Sequence, residues 1–193
     1  EDGNTLDGQD HGSDYIDGGQ GDDSLIGSGG DDVIFGCDGG DLIYGDSQYG
    51  WSYVTVWDYS VQRPDAADLD EQWHGGDELH GGAGNDDIIA GGGDDTLYGD
   101  AGVDNLFGNS GNDTLVGGAE IDWLWGGEGN DTLIGGTGED VLVGGAGNDT
   151  YIFQMDGEQD FIQDEEGSNT ILLHGATQKN VQYYLDSDTN RVA

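Results

Sequence analysis

Apolar side chains recur in this chain at a fixed distance from aspartate, with a period of nine residues. Thirteen aspartates lie in one frame: Asp14, Asp23, Asp32, Asp41, Asp77, Asp86, Asp95, Asp104, Asp113, Asp122, Asp131, Asp140 and Asp149. The second residue after each is apolar: Ile16, Leu25, Ile34, Ile43, Leu79, Ile88, Leu97, Leu106, Leu115, Leu124, Leu133, Leu142 and Tyr151. Only 33% of the chain is hydrophobic, so thirteen matches at one phase indicate a repeated structural unit.

Each repeat joins a glycine-rich turn to a short apolar stretch. The cleanest copies, residues 126–134 and 144–152, follow G-G-x-G-x-D-x-U-x, where U is a large apolar residue. Glycine reaches positive φ without steric penalty, so G-G-x-G predicts a tight turn with its carbonyls pointing inward. The tripeptide at 114–116 is β-branched and aliphatic, which predicts a very short strand whose middle residue points away from its flanks.

Two turns and two strands make one coil of eighteen residues. Stacked coils would form two parallel sheets, with the middle apolar residues filling the narrow space between them. At about 4.8 Å per coil, the repeats predict a rod roughly 30 Å long. Forty glycines in 193 residues would otherwise suggest disorder, but their periodic placement favours an ordered solenoid.

The nonapeptide, which extends from Gln9 to Ile152 with one interruption, resembles the calcium-binding repeat of the RTX, or haemolysin-type, family. The resemblance implies an all-β fold, a parallel β-roll that is a right-handed solenoid of nonapeptide repeats. It also implies that each calcium ion lies between a turn and the next turn on the same side of the roll. Two carboxylates and several glycine carbonyls would coordinate the ion. The implied ligands are the thirteen aspartates, with turn carbonyls such as those of Gly18, Gly36, Gly81, Gly108, Gly126 and Gly144.

The charge of the chain independently favours a bound cation. Lys and Arg number 3 and Asp and Glu number 42, which gives a net charge of −39. Stacking aligns the repeated carboxylates in columns, where like charges oppose compaction. Calcium prefers six to eight carboxylate and carbonyl oxygens, and the turn supplies both. A merely solvated acidic surface would not explain the fixed phase of Gly, Asp and Leu.

Pairing each aspartate with the one on the same side of the next coil gives the number of ions. Thirteen turns in an unbroken roll form eleven pairs, and therefore bind up to about eleven calcium ions. The pairs include Asp14 with Asp32, Asp23 with Asp41, Asp86 with Asp104, and Asp131 with Asp149. Eleven divalent ions would reduce the net charge from −39 to −17.

Some copies depart from the pattern. Glu120 replaces the fourth-position glycine before Asp122, which predicts a strained turn and weakened sites there. Ala90 and Gln9 replace first-position glycines, and second-position glycines are replaced at Cys37, Asp46, Asp100 and Asn109. Residues 4–8 look like the end of an earlier repeat with one extra residue, so we expect the chain to be a fragment of a longer array.

Residues 47–74 separate a first block of repeats at 1–46 from a second at 75–152. If the nine-residue frame is continued through this insert, the aspartate position is occupied by Gly50, Tyr59 and Asp68. The insert is therefore not a set of degenerate repeats. The preserved phase favours a loop inserted into one turn of a single roll over two rolls joined by a linker. Trp51 to Tyr59 alternates with period two and predicts a strand with Trp51, Tyr53, Trp57 and Tyr59 on one face. These rings either pack against the roll or bind a glycan or surface partner.

Residues 153–193 follow the repeats with larger apolar groups. An open solenoid end exposes a strand edge and the core residues of the last coil. We therefore predict a C-terminal β cap from Phe153 to about Tyr184, followed by a frayed tail.

Other functions find little support in the sequence. No H-E-x-x-H or G-x-S-x-G pattern is present, so we expect no enzyme activity in this fragment. The histidines are scattered, and we expect His74 and His80 to face the turn at Asp77.

The net charge and the absence of a P-loop lysine argue against binding of nucleic acid or phosphate. No eighteen-residue apolar run exists, which predicts no membrane span. Cys37 is the only cysteine and cannot form an internal disulfide.

The sequence therefore predicts a calcium-binding RTX β-roll of a secreted or cell-surface protein of a Gram-negative bacterium. The resemblance implies export by type I secretion machinery, folding on calcium outside the cell, and support of a neighbouring domain. One alternative is a calcium-dependent adhesion or carbohydrate-binding module that uses the aromatic insert. Another is the non-catalytic tail of a secreted lipase, protease or pore-forming toxin.

Overall fold

The chain folds into an all-β solenoid of parallel strands in a computed structural model, and this confirms the predicted β-roll. The structure describes residues 13–27, 30–45, 75–154, 159–164 and 166–174, together with the backbone of strands at 5–7, 51–56 and 59–64.

The strands are, in chain order, β1 (Thr5–Asp7), β2 (Tyr15–Gln20), β3 (Ser24–Ile26), β4 (Val33–Asp38), β5 (Leu42–Tyr44), β6 (Trp51–Val56), β7 (Tyr59–Pro64), β8 (Glu78–Ala83), β9 (Asp87–Gly92), β10 (Thr96–Ala101), β11 (Asn105–Ser110), β12 (Thr114–Ala119), β13 (Trp123–Glu128), β14 (Thr132–Thr137), β15 (Val141–Ala146), β16 (Thr150–Gln154), β17 (Phe161–Gln163) and β18 (Thr170–His174).

Two eight-stranded parallel sheets form the walls of the roll. Sheet A has the order β1-β3-β5-β9-β11-β13-β15-β17, and sheet B has the order β18-β16-β14-β12-β10-β8-β4-β2. Apart from β6 and β7, successive strands alternate between the sheets, so each strand pairs with the strand one coil away. Leu97, for example, pairs with Leu115, which pairs with Leu133.

The middle apolar residues of the repeats form the core between the sheets, as predicted. They pack as one buried cluster, in which the most exposed member is Ile16 at 7%. Side chains alternate across a strand, so the inward position of every strand contributes one residue to the same stack. Phe153 and Ile162 are partly buried and pack against the C-terminal end of this cluster.

Most strands in the described repeats contain six residues rather than the predicted three. In β12, pairing with β14 covers Thr114 to Val116, skips Gly117, and resumes at Gly118 and Ala119. The chain bends at the first glycine of the motif, and the next two residues then hydrogen-bond to the neighbouring coil. The glycine-rich segment therefore bends the chain and also extends the strand. Its backbone N–H and C=O groups lie against the parallel strand of the neighbouring coil and form hydrogen bonds with it.

The two blocks of repeats form one roll across residues 46–74. Strand β4 pairs with β8 and β5 pairs with β9, with Ile34 opposite Leu79 and Ile43 opposite Ile88. These are the partners that the preserved phase favours. At the N-terminal end β1 pairs with β3, and Leu6 lies opposite Leu25, which places the extra residue between them.

Part of the insert is a β-hairpin. Strand β6 pairs antiparallel with β7, and Val56 lies opposite Tyr59. The prediction of a single strand from Trp51 to Tyr59 was therefore wrong, because alternation alone does not locate a chain reversal. Trp57 and the side chains of the hairpin lie outside the described residues, so the packing and glycan-binding roles of the insert stay predictions.

The flanking positions of the repeats form features that the sequence did not predict. On the face of sheet A away from the core, Ile26, Tyr44, Ile89, Phe107 and Trp125 form a second buried apolar cluster. The rings of Phe107 and Trp125 stack at 4.6 Å.

We expected His80 to face the turn, but it does not. It lies on β8, where its ring stacks between Phe35 at 4.7 Å and Tyr98 at 4.6 Å. The three residues occupy the same flanking position in successive coils of sheet B, so the parallel register brings their rings together. His74 lies outside the described residues.

Four non-glycine residues adopt positive φ at glycine positions of the motif. Cys37, Asp100 and Asn109 have φ of 83°, 73° and 75° at the second position, and Glu120 has 77° at the fourth. The left-handed conformation is unfavourable for residues with a Cβ. Gln9 and Asp46, which also replace glycines, lie outside the described residues.

We expect Glu120→Gly to stabilise the roll by about 1 kcal/mol, because it removes this backbone strain. The matched control is Glu128→Gln, which removes one exposed carboxylate from a neighbouring turn without changing the backbone. Thermal unfolding in saturating calcium should show a higher midpoint for Glu120→Gly than for the control. Equal midpoints for the two variants would show that the turn carries no strain.

Candidate calcium sites

The aspartates of the repeats form two columns, one at each turn edge of the roll. The column that precedes sheet A contains Asp23, Asp41, Asp86, Asp104, Asp122 and Asp140, and the column that precedes sheet B contains Asp14, Asp32, Asp77, Asp95, Asp113, Asp131 and Asp149. Within each column, the backbone N–H of one aspartate donates to Oδ1 of the next, at 2.7–2.9 Å. All eleven predicted pairs are therefore neighbours, including the two that span the insert.

The second carboxylate oxygen, Oδ2, lies in the turn beside the first glycine of the motif. A Cβ added to Gly18 would lie 2.8 Å from Asp23 Oδ2 and 2.8 Å from the carbonyl oxygen of Gly36. The same arrangement recurs in the later coils, where the carbonyls of Gly81, Gly126 and Gly144 approach the first glycine of the preceding coil. Glycine is favoured here because a carboxylate oxygen and a carbonyl oxygen converge on the space that a side chain would fill.

These carboxylates are buried. Twelve of the thirteen have exposed fractions of 0–4%, and only Asp14 is partly exposed. Among the residues that the structure describes, Oδ2 is buried without a hydrogen-bond partner in Asp14, Asp32, Asp41, Asp86, Asp104, Asp113, Asp122, Asp131 and Asp149. A buried ionised oxygen without a partner is strongly unfavourable, so this arrangement requires a proton or a cation.

Burial raises the pKa of several of these carboxyl groups above the usual value near 4. Desolvation is the largest cause, and the neighbouring aspartate of the same column adds to it. The pKa rises to about 8 for Asp113 and Asp122, to about 7 for Asp104, and to about 6 for Asp32, Asp86 and Asp131. Hydrogen bonds from the backbone N–H groups oppose the shift but do not cancel it.

The repeats contain no basic residue that could neutralise the columns. The chain has three basic residues, Arg63, Lys179 and Arg191, and none of them belongs to a repeat. The oxygen atoms present are carboxylates and backbone carbonyls, which are the ligands that calcium prefers. The residues therefore fit calcium, with Asp Oδ2 and the first-glycine carbonyl of the next coil as the groups that would hold it.

A model of the RTX calcium-binding nonapeptide repeat matches residues 10–43, 75–106, 107–141 and 116–151. These segments together cover more than half of the chain. The chain belongs to the RTX calcium-binding repeat family. No curated protein matches the sequence closely enough to suggest a more specific relative.

Membership of the RTX family supports calcium binding by this roll and identifies it as a structural calcium-binding domain. RTX repeats are typical of secreted bacterial proteins. Among the residues described, no three His, Cys, Asp or Glu side chains converge as a metal-binding group. The described part of the chain also contains no helix that is long and apolar enough to cross a membrane.

Two further residues continue the columns beyond the predicted RTX repeats. Asp140 N–H donates to Asp160 Oδ1 at 3.1 Å, and Asp149 N–H donates to Asn169 Oδ1 at 2.7 Å. The signal was present in the sequence, because Asp160 and Ile162 repeat the aspartate-to-apolar spacing, as do Asn169 and Ile171. Asp160 and Asn169 each lie two residues beyond the position that a strict nine-residue period after Asp149 would give, so the repeat pattern did not include them.

The departures from the RTX motif leave the column hydrogen bonds in place. Asp122 follows Glu120, yet it is fully buried and keeps both column hydrogen bonds at 2.9 Å. The structure therefore shows no loss of column geometry at Asp122. Ala90, a buried residue, places a methyl group where other coils have a first glycine, and its carbonyl approaches Gly45.

Filling one of these spaces should weaken calcium binding. A Cβ at Gly126 would contact Asp131 Oδ2 and lie 2.7 Å from the Gly144 carbonyl oxygen, which belongs to the backbone and cannot rotate away. We expect Gly126→Ala to destabilise the calcium-bound roll by about 1–3 kcal/mol and so to raise the calcium concentration at the folding midpoint.

The control for this variant is Gly40→Ala, which adds the same methyl outside the oxygen cluster, 3.1 Å from Asn85 O. Both midpoints come from calcium titrations followed by circular dichroism. Equal shifts for Gly126→Ala and Gly40→Ala would contradict a role for the first-glycine space in calcium binding.

Proposed function

We propose that this chain is the calcium-responsive roll of a protein exported by a Gram-negative bacterium through type I secretion machinery. The observation that supports the proposal is the pair of aspartate columns, whose buried Oδ2 atoms face glycine carbonyls without any basic residue in the repeats. Such a roll is unstable where free calcium is scarce, as inside the cell. It becomes stable where calcium is abundant, as outside the cell.

The ligands of each ion are the two aspartates of a column pair and the first-glycine carbonyls of their turns. The thirteen aspartates then form up to about eleven sites, and the carbonyls include those of Gly18, Gly36, Gly81, Gly108, Gly126 and Gly144. An ion in each site would join two successive coils, so binding energy contributes directly to folding.

Direct counting of bound calcium tests the ligand assignment. We expect equilibrium dialysis of the whole chain with radioactive calcium to show about eleven ions at saturation. Replacing Asp113 by Asn should lower the count, because this change removes a carboxylate oxygen while leaving the amide oxygen to accept the column hydrogen bond. Replacing exposed Glu128 by Gln should not lower it. Equal counts for the two variants would contradict the assignment.

Export is tested by secretion. The chain, joined to a type I secretion signal and followed in cells that carry the cognate exporter, should leave the cells faster when the medium contains millimolar calcium. Folding outside would prevent the chain from sliding back and would support a domain joined to the roll. Identical export rates with and without external calcium would contradict this role while leaving calcium binding itself intact.

A further inference from the structure

The last described coil contains a cluster of oxygen atoms that differs from the repeated sites. Residues 164–172 occupy the same nine positions as a repeat, with Gly167 at the fourth and Asn169 at the aspartate position. Gly167 has a positive φ of 84°, and a Cβ there would contact Gly147 O. This is the contact that fourth-position glycines make in earlier coils, for example Gly129 with Gly111 O. Asp164 therefore stands at the first position, where the motif has glycine.

Tyr151 and Asp164 place side-chain oxygens at the last of these turns. At Gly126, a Cβ would lie between Asp131 Oδ2 and the Gly144 carbonyl oxygen. At Gly144, one coil further, the corresponding neighbours are Asp149 Oδ2 and the hydroxyl of Tyr151. Tyr151 Oη donates to Asp164 Oδ2 at 2.5 Å. Tyrosine is longer than the leucine or isoleucine at the other core positions, so its hydroxyl reaches the turn.

Asp149 provides the second, independent sign of a ligand. Its residue exposure is only 1%, its Oδ1 accepts the Asp131 N–H, and its Oδ2 is buried without a hydrogen-bond partner. Two carboxylates and a hydroxyl thus converge where the sequence from 75 to 174 contains no lysine or arginine.

Asn169 marks the end of this column. Its Oδ1 accepts from Asp149 N–H, as the aspartates do, but its Nδ2 donates to Glu166 O at 2.8 Å. An amide nitrogen cannot bind a cation, so Asn169 offers no free oxygen for a subsequent site. The oxygen cluster at Asp149 is consequently the last one in the column within the described residues.

We propose that the motif aspartate Asp149, together with Asp164 and the Tyr151 hydroxyl, forms a terminal calcium site that joins the last coil to the roll. The choice of ion rests on the proposed function, whereas the site differs from the repeated ones by Tyr151 at the apolar position and Asp164 at the first-glycine position. Three oxygens from one hydroxyl and two carboxylates suit a hard cation, and half-buried Asp164 leaves room for water to complete the coordination.

Anomalous diffraction from crystals of the whole chain soaked in terbium, a lanthanide that takes the same oxygen ligands, tests the site. The expected result is a peak within about 2.6 Å of Asp149 Oδ2, Asp164 Oδ2 and Tyr151 Oη, in addition to the peaks along the columns. The terminal peak should vanish in Asp164→Asn, while the column peaks remain. Absence of a terminal peak in the parent, or its persistence in Asp164→Asn, would overturn the proposal.

Tyr151→Phe provides a second test if Asp164→Asn fails to fold. It keeps both carboxylates and removes only the hydroxyl oxygen, so one calcium ion should bind about tenfold more weakly in dialysis while the total at saturation is unchanged. Unchanged affinities at every site would overturn the role of the hydroxyl. A parent chain that binds no calcium at all would instead contradict the proposed function, so the two failures are distinguishable.

Discussion

Removal of calcium should unfold the roll. Chelation with excess EDTA at neutral pH is expected to convert the circular dichroism spectrum from β to largely disordered, with β signal returning cooperatively at roughly 10⁻⁴–10⁻³ M calcium. The reason is electrostatic, because twelve aspartates of the columns are buried and the repeats contain no basic residue. Without an ion, neighbouring carboxylates in a column must either repel one another or bind protons, and both lower the stability of the roll at neutral pH.

Magnesium is the informative control for this experiment. It prefers a tight octahedron and gives up its water reluctantly, so it should restore little β structure at the same concentration. A roll that keeps its spectrum after complete chelation, or that folds equally well in magnesium, would show that its stability does not depend on calcium in the columns.

Acid should partly replace calcium. In the folded chain the pKa of Asp113 and Asp122 is about 8, and that of Asp104 is about 7, whereas an unfolded aspartate has a pKa near 4. The folded state therefore binds more protons than the unfolded state between about pH 4 and pH 8. Stability from these groups is fully present below about pH 4 and is lost as pH rises through 7 and 8. In EDTA, β structure should appear as pH falls through this window.

A triple replacement of Asp104, Asp113 and Asp122 by asparagine separates this effect from a general loss of charge. The amides resemble the protonated acids, so the metal-free variant should fold at a higher pH than the parent. Replacement of exposed Glu128 and Glu139 by glutamine removes charge without removing a buried carboxylate, and should move the folding pH much less. Circular dichroism at low protein concentration measures the folding pH of both variants. Equal shifts would assign the acid response to net charge alone.

Sequence periodicity predicted the architecture because the repeat is its own structural unit. Asp113 and Leu115 have the same relationship to the backbone as Asp131 and Leu133, so one physical argument covers every coil. The neighbours in each column followed from the coil length of eighteen residues. Periodicity also located the register across residues 46–74, since the phase is the same on both sides.

The features that escaped prediction depend on contacts between flanking positions or on a break in the period. The buried cluster of Phe107 and Trp125 arises because the parallel register aligns residues that look like unrelated outward positions in a single repeat. The role of Tyr151 required knowing that Asp164 returns to the same turn after a two-residue shift. The hairpin of β6 and β7 was missed since alternation is preserved through a chain reversal.

The pairing of every strand with the strand one coil away also has a mechanical consequence. The backbone hydrogen bonds between coils lie along the axis of the roll, as does the amide ladder that connects Asn112, Asn130 and Asn148 at 3.0–3.1 Å. A pulling force between the chain ends would break the hydrogen bonds of one coil before those of the next, instead of breaking all of them at once. The roll should therefore peel from an end in steps of about eighteen residues, and the extension released would count the coils.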